Sequence, residues 1–220
     1  METLALIAKT IAIISACWAI ISGVGAWKRE FIGKRRIELA EEVLACFFEI
    51  KDAIAVIRSP FASASEGSSR VKGETESKEE SELLDRGYIV FERYESRKEV
   101  FTKFQTMKYR FMASFGAESE EVFIETNKVL NSIFASSRQL ATHYWQRQGR
   151  VPMSDDEFQR HLEQMRIHEG IFWDSFAEDD TIRIKLEVIQ SDLEKVTKPC
   201  FEEPMTTYTW LTKKLGTNES

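Results

Sequence analysis

Residues 34–58 read KRRIELAEEVLACFFEIKDAIAVIR. Ile37, Ala40, Leu44, Phe47 and Ile54 fall on one helical stripe, and Leu39, Val43, Ile50 and Ile57 fall on the stripe beside it. Two adjacent apolar stripes make a face too broad for a single partner, so this helix belongs in a bundle. Ser59-Pro60 ends it, because the residue before a proline is pushed out of helical geometry.

Upstream, residues 4–27 read LALIAKTIAIISACWAIISGVGAW, with Lys9 as the one charge. As a helix they rise about 36 Å, enough to cross a hydrocarbon core of about 30 Å with some tilt. Lys9 lies near the outer end, where its stem can snorkel. At the other end stand Trp27, Lys28, Arg29, Lys34, Arg35 and Arg36, the aromatic and basic residues of a membrane interface. The positive-inside rule then places the rest of the chain in the cytoplasm. Two rival readings exist. Val24-Gly25-Ala26 has the form of a signal-peptidase site, but basic residues directly after it resist export. Ile14-Ser15-Ala16-Cys17 matches a lipoprotein box, but the chain stays apolar for more than a turn beyond Cys17. A retained signal anchor is the expectation. Ala12, Ala16, Ala19 and Gly23 form a stripe of small residues, which is also ordinary composition for a span. Only Gly33 interrupts the passage from Trp27 to Ile37, so the span either continues into the 34–58 helix or bends there.

Downstream, residues 59–82 are rich in Ser, Glu and Gly and read as a mobile linker. Residues 83–115 carry an aromatic stripe, Val90, Tyr94, Phe101, Phe104, Phe111 and Phe115, stopped by Gly116. Residues 118–148 form a third long helix along Val122, Thr126, Val129, Ile133, Leu140 and Tyr144, ended by Gly149 and Pro152. Ser154-Asp155-Asp156-Glu157 is a capping box opening a fourth helix through Phe158, Leu162 and Met165, closed by Gly170. A loop over 171–178 leads to a fifth helix starting at Asp179-Asp180, with Ile182, Leu186, Ile189, Leu193 and Val196 on one face and Pro199 as its stop. Met205, Tyr208, Leu211 and Leu215 suggest a short C-terminal helix. The expected fold is all-α: an N-terminal transmembrane helix followed by an antiparallel helical bundle of four to five helices. Its organisation is an anchor over 1–27, a basic junction and first bundle helix over 28–58, the linker over 59–82, and the remaining bundle over 83–220.

Charge supports that division. The 220 residues carry a net charge of −6, yet residues 1–36 alone carry +4, which leaves a body of −10. An acidic body is a poor partner for nucleic acid, where affinity comes from neutralising phosphates. Lys103, Lys108 and Arg110 interleave with aromatics as on a nucleic-acid surface, but at helical spacing such aromatics are core. Cys17, Cys46 and Cys200 have no metal or redox spacing, and an odd unpatterned set fits a reducing compartment.

No catalytic motif is legible: no phosphate-cradling glycine loop, no nucleophile elbow, no zinc signature. His161 and His168 lie on one helix face with Glu157 and Gln164 nearby, but seven residues separate them by about 10 Å, too far to share a metal unaided. They and His143 read as polar-face histidines. The acidic cluster Asp174, Glu178, Asp179 and Asp180 lacks calcium-loop spacing, and acid at a helix start is explained by the macrodipole. No cofactor and no metal site is expected.

Residues 27–61, WKREFIGKRRIELAEEVLACFFEIKDAIAVIRSPF, resemble the opening of a group of uncharacterised bacterial single-span membrane-anchored helical proteins. The likeness lies in the anchor, the basic Trp-Lys-Arg-Glu-Phe junction, the apolar helix and the Arg-Ser-Pro-Phe stop; the loop and helix over 171–199 are similar too. It implies a bacterial inner membrane as the setting and carries over no activity or functional residue. The expected function is therefore a membrane-anchored cytoplasmic interaction or scaffold module, with membrane lipid and a protein partner or a second copy as its contacts. A membrane-tethered metal-dependent enzyme, or a component of a stress or phage-defence system, is the alternative.

Overall fold

The computed structural model describes residues 2–63 and 65–202, and among these every regular element is helical and no strand occurs. The order is α1 (Glu2–Ile57), α2 (Lys78–Glu95), α3 (Lys98–Phe115), a 3-10 turn (Ala117–Glu120) and α4 (Glu121–Gln139). A π-helical turn (Leu140–Tyr144) then runs into Trp145–Arg147, followed by α5 (Asp155–Phe172) and α6 (Thr181–Phe201). The C-terminal helix expected around Met205 to Leu215 lies outside the described residues. The described chain divides into two compact units, residues 2–41 with 197–202, and residues 42–196.

In the first unit α1 passes through Gly33 without a break. Its stretch from Lys9 contains a window of mean hydropathy 1.8, long and apolar enough to cross a membrane, of which 0% is buried within the protein. Trp18 and Ile21 are 73% and 71% exposed. Pro199, expected to stop the last helix, lies inside α6, which continues to Phe201. So close to a helix end its missing N–H removes little of the ladder.

The second unit is built on the two stripes of residues 34–58. Val43, Phe47, Ile50, Ile54 and Ile57 are buried, and Cys46 lies among them. Phe47 meets Phe104 of α3 at 6.0 Å, and Phe104 meets Phe123 of α4 at 4.4 Å. On the other side Phe91 and Tyr94 of α2 close on Phe134 of α4 at 4.8 and 5.1 Å. The aromatic stripe of 83–115 is thus core, but it is divided between two helices. The Ser96 hydroxyl donates to the carbonyl of Arg93, and Arg97 takes φ −124°, which turns the chain with neither Gly nor Pro. Lys103, Lys108 and Arg110 each face a glutamate: Glu49, Glu120 and Glu42 at 3.6, 2.7 and 3.9 Å.

Two buried arginines close the helix ends. Arg58, 2% exposed, donates through Nε to the carbonyl of Ile171 and through Nη2 to those of Gly170 and Trp173, satisfying the C-terminus of α5. The same guanidinium grips Asp180 with both Nη atoms at 2.8 Å. Asp180 is in turn the N-cap of α6, accepting from the backbone N–H groups of Ile182 and Arg183 and from Ser175. Burial pushes its carboxyl up, but the Arg58 hydrogen bonds, the α6 backbone donor and Ser175 together hold it well below the usual carboxylate range. Arg93 performs the same service for α1, donating to the carbonyls of Val56, Ile57, Ser59 and Phe61 while paired with Glu66 at 2.9 Å.

The 59–82 segment, expected as a mobile linker, is tied back to α2. Arg70 bonds Glu76 through both Nη atoms and Asp85 through Nε. That guanidinium, with the Gly73 N–H, lowers the Glu76 carboxyl to about 2. Gly67 adopts φ 85° and donates to Glu92; a Cβ there would stand 1.9 Å from the carbonyl oxygen of Asp85.

A close helix crossing lies at Gly87 of α2. A Cβ there would lie 2.4 Å from the Cβ of Ala141, and the Gly87 carbonyl accepts from the Ser137 hydroxyl at 2.5 Å. Gly87→Ala gains about 1 kcal/mol of helix propensity but overpacks the crossing by about 1–3 kcal/mol. Urea unfolding should show net destabilisation, with Ala141→Gly restoring part of it; a stabilised Gly87→Ala would refute the close crossing. Arg58→Ala strands Asp180 without its partner in the interior and should cost about 3–5 kcal/mol by the same measurement.

Candidate functional site

The residues expected at a membrane interface all lie on α1. Trp27 stacks on Phe31 at 5.7 Å, and the Arg35 guanidinium sits over the other end of that row, 5.1 Å from the Phe31 ring. Lys28, Lys34, Arg35 and Arg36 are exposed. The spacing of four between Trp27, Phe31 and Arg35 aligns them on one helix face, aromatic at one end and cationic at the other.

A second assembly forms where the helix after α4 widens. The N–H of Trp145 reaches back to the carbonyl of Leu140, five residues earlier, and this wide turn presents His143 and Tyr144 toward α5. The Tyr144 ring lies 5.3 Å from His161, 5.2 Å from His168 and 5.0 Å from His143. All three histidines of the chain therefore surround one tyrosine. Trp145 fixes the turn from below: its indole N–H donates to Glu169 at 3.0 Å, its ring meets Phe172 at 5.5 Å, and Arg86 covers it at 4.5 Å.

The inward stripe of α5 is His161, Met165 and Phe172, with His168 half-buried beside it. Of the expected stripe Phe158, Leu162 and Met165, Met165 is buried, Leu162 is half-buried and Phe158 is exposed, while His161, expected on the polar face, is 7% exposed. Its Nε2 has no hydrogen-bond partner and no access to solvent. Such a group costs about 1–3 kcal/mol until something pairs with it.

Beside this ring cluster is an open cleft of about 330 Å³, lined by His143, Tyr144, Arg147, Glu157, Arg160 and His161, with Gln164 and Met153 at its margin. Arg147 contacts His143 Nε2 at 3.4 Å, and the Arg160 guanidinium has no hydrogen bond among the described residues. Glu157 is engaged in the capping box, accepting from the Ser154 N–H and hydroxyl at 3.0 and 3.1 Å. Those bonds, with the charges of Arg160 and Arg147, lower its carboxyl. The balance of the cleft is cationic in a chain that is acidic overall.

Other candidates are committed to structure. His168 Nδ1 is 3.1 Å from the Ser136 hydroxyl, the spacing of a nucleophile and its base, but Ser136 is 2% exposed and no substrate reaches it. Asp180 is consumed by Arg58, and Asp174 by Arg183 and the Phe176 N–H, so the acidic cluster does not converge. No three of the described His, Cys, Asp and Glu residues stand close enough to hold a metal ion. Burial pushes the Cys46 thiol up to about 11 and its S–H points to the Val100 carbonyl, which leaves it protonated and inert. Cys17 is exposed on α1 and Cys200 half-buried on α6. Against known proteins, no family model, no curated sequence and no solved structure matches this chain.

Burial holds His168 below its ordinary value of 6.5. The unfolded chain takes up a proton near that pH while the folded protein resists it, so stability is complete above about 6.5 and falls as pH drops below. The urea midpoint should decline between about pH 7.5 and about pH 5.5, and His168→Gln should flatten that decline. An equally steep decline in the variant would remove His168 as its source.

Proposed function

We propose that α1 anchors this protein in a bacterial inner membrane by a single span, with residues 42–196 held in the cytoplasm as an antiparallel bundle that serves as an interaction module. The observation carrying this reading is the apolar window of α1, none of which the protein buries. A core helix with the same hydropathy would be covered by its neighbours. Here Ile11, Ile13, Ile14, Trp18, Ile20, Ile21 and Val24 all face outward. Each such side chain left in water forgoes about 1.5–3 kcal/mol, so the helix needs lipid around it.

The face running from Trp27 through Phe31 to Arg35 supports the interfacial level, with an aromatic where the acyl chains end and cations where anionic headgroups begin. Basic residues there gain about 1 kcal/mol each near an anionic leaflet, which fixes orientation without a separate lipid-binding role. A protein partner or a second copy is the contact such a module takes.

Membrane fractionation with reporters fused at the C-terminus tests this reading. The full chain should resist alkaline extraction from membranes, a chain lacking residues 1–27 should be soluble, and the C-terminal reporter should be cytoplasmic. Arg35→Glu with Arg36→Glu should lower the fraction in that orientation. Soluble protein with residues 1–26 cleaved off would make the segment a signal sequence and end the proposal.

A further inference from the structure

The cleft beside the π-helical turn has three properties that packing alone leaves unexplained. It gathers the half-buried Arg147 and the exposed Arg160, neither paired with a carboxylate by a salt bridge, on an acidic protein whose buried arginines, Arg58 and Arg93, are each locked to an acid. It places His143 Nε2 at 3.4 Å from Arg147, where it accepts from the guanidinium and its proton is carried on Nδ1 as a further donor. Its wall includes the nine-tenths buried His161, whose Nε2 has no partner. Glu157 is the one carboxylate of the lining, and its donors come from Ser154 at the helix start.

We infer that this cleft is a binding site for a small phosphate-bearing anion, held by the forked guanidinium groups of Arg147 and Arg160 and by His143, with His161 beneath it. The guanidinium fork matches the oxygens of a phosphate two at a time, and an imidazole N–H supplies a third direction. A volume of about 330 Å³ admits a small phosphate-bearing molecule and is open enough for a headgroup to enter from outside. The π-helical turn gives the site its shape. Without the extra residue, His143, Tyr144 and Arg147 would rotate away from α5 by about a quarter turn. The site lies wholly within residues 143–164 and stands whether or not α1 is a membrane anchor.

The three histidines make the test direct, because all three surround Tyr144. Full-length protein labelled at histidine, in nanodiscs of phosphatidylcholine, is titrated with inorganic pyrophosphate and followed by the three imidazole carbon–proton signals. The signals of His143 and His161 should move saturably, while that of His168, bonded to Ser136 away from the cleft, moves little and reports an intact fold. Arg147→Gln and Arg160→Gln should each weaken binding by about tenfold, and Arg166→Gln, outside the cleft, should leave it unchanged. Nanodiscs containing phosphatidate that reproduce the shifts without pyrophosphate identify a lipid headgroup as the source; failure to do so leaves a soluble phosphate compound. Absence of saturable shifts, equal weakening by Arg166→Gln, or equal affinity for citrate overturns the assignment.

Discussion

The second unit depends on one buried ion pair. Arg58 and Asp180 are both nearly sealed from solvent, and taking two charges out of water costs several kcal/mol per ion before any attraction is counted. The geometry offsets that cost because both groups are engaged by several directional hydrogen bonds besides their own pairing. The guanidinium ends α5 through three carbonyls and the carboxylate begins α6 through its backbone amides. The Arg58 carbonyl itself receives the N–H of Asp174. One residue pair therefore fixes the end of α1, the exit of α5 and the entry of α6. Hydrophobic faces are tolerant of sliding; a pair with this many directional partners is not. Its contribution lies in specifying register more than in net stability.

Arg93 extends the same logic to the loop after α1. Four carbonyls at or beyond the end of that helix would otherwise need water, and the arginine brings them together with Glu66. The polar segment that follows is then held by charge pairs to α2 rather than by apolar burial. That solution suits a stretch with almost no large apolar residues. Arg58-Ser59-Pro60-Phe61 and the 171–180 loop, far apart in sequence, meet at Arg58 and Asp180 and form a joint of the structure.

Much of the core was legible because helical periodicity is a direct imprint of burial. Val122, Thr126, Val129, Ile133 and Leu140 are buried as their spacing demands, and Ile182, Leu186, Ile189 and Leu193 likewise. The capping box at Ser154 is present with both its hydrogen bonds. The break between α2 and α3 was not legible, because Ser96 and Arg97 are compatible with a helix, yet the chain leaves helical geometry at Arg97, beside the Ser96 bond to the Arg93 carbonyl. The burial of His161 on α5 was hidden as well. Phe158 is the more apolar residue, but the neighbouring wide turn offers His161 a ring partner in Tyr144, and a helix can present only one of those faces. The wide turn leaves no mark in composition; its one trace is the pairing of Gly87 with Ala141, separated in sequence and meaningful only once α2 and α4 are adjacent. The cleft's arginines were invisible for the same reason, since nothing in the spacing of Arg147 and Arg160 across Gly149 and Pro152 says that the chain doubles back.

The partners in the central ion pair are 122 residues apart. During synthesis at about 5–20 residues per second, Arg58 is made roughly 6–25 seconds before the carboxylate that neutralises it. Enclosing the end of α1 during that interval would cost several kcal/mol for the unpaired guanidinium. The pair is therefore a contact of high contact order, and its stabilisation is complete only once α6 exists.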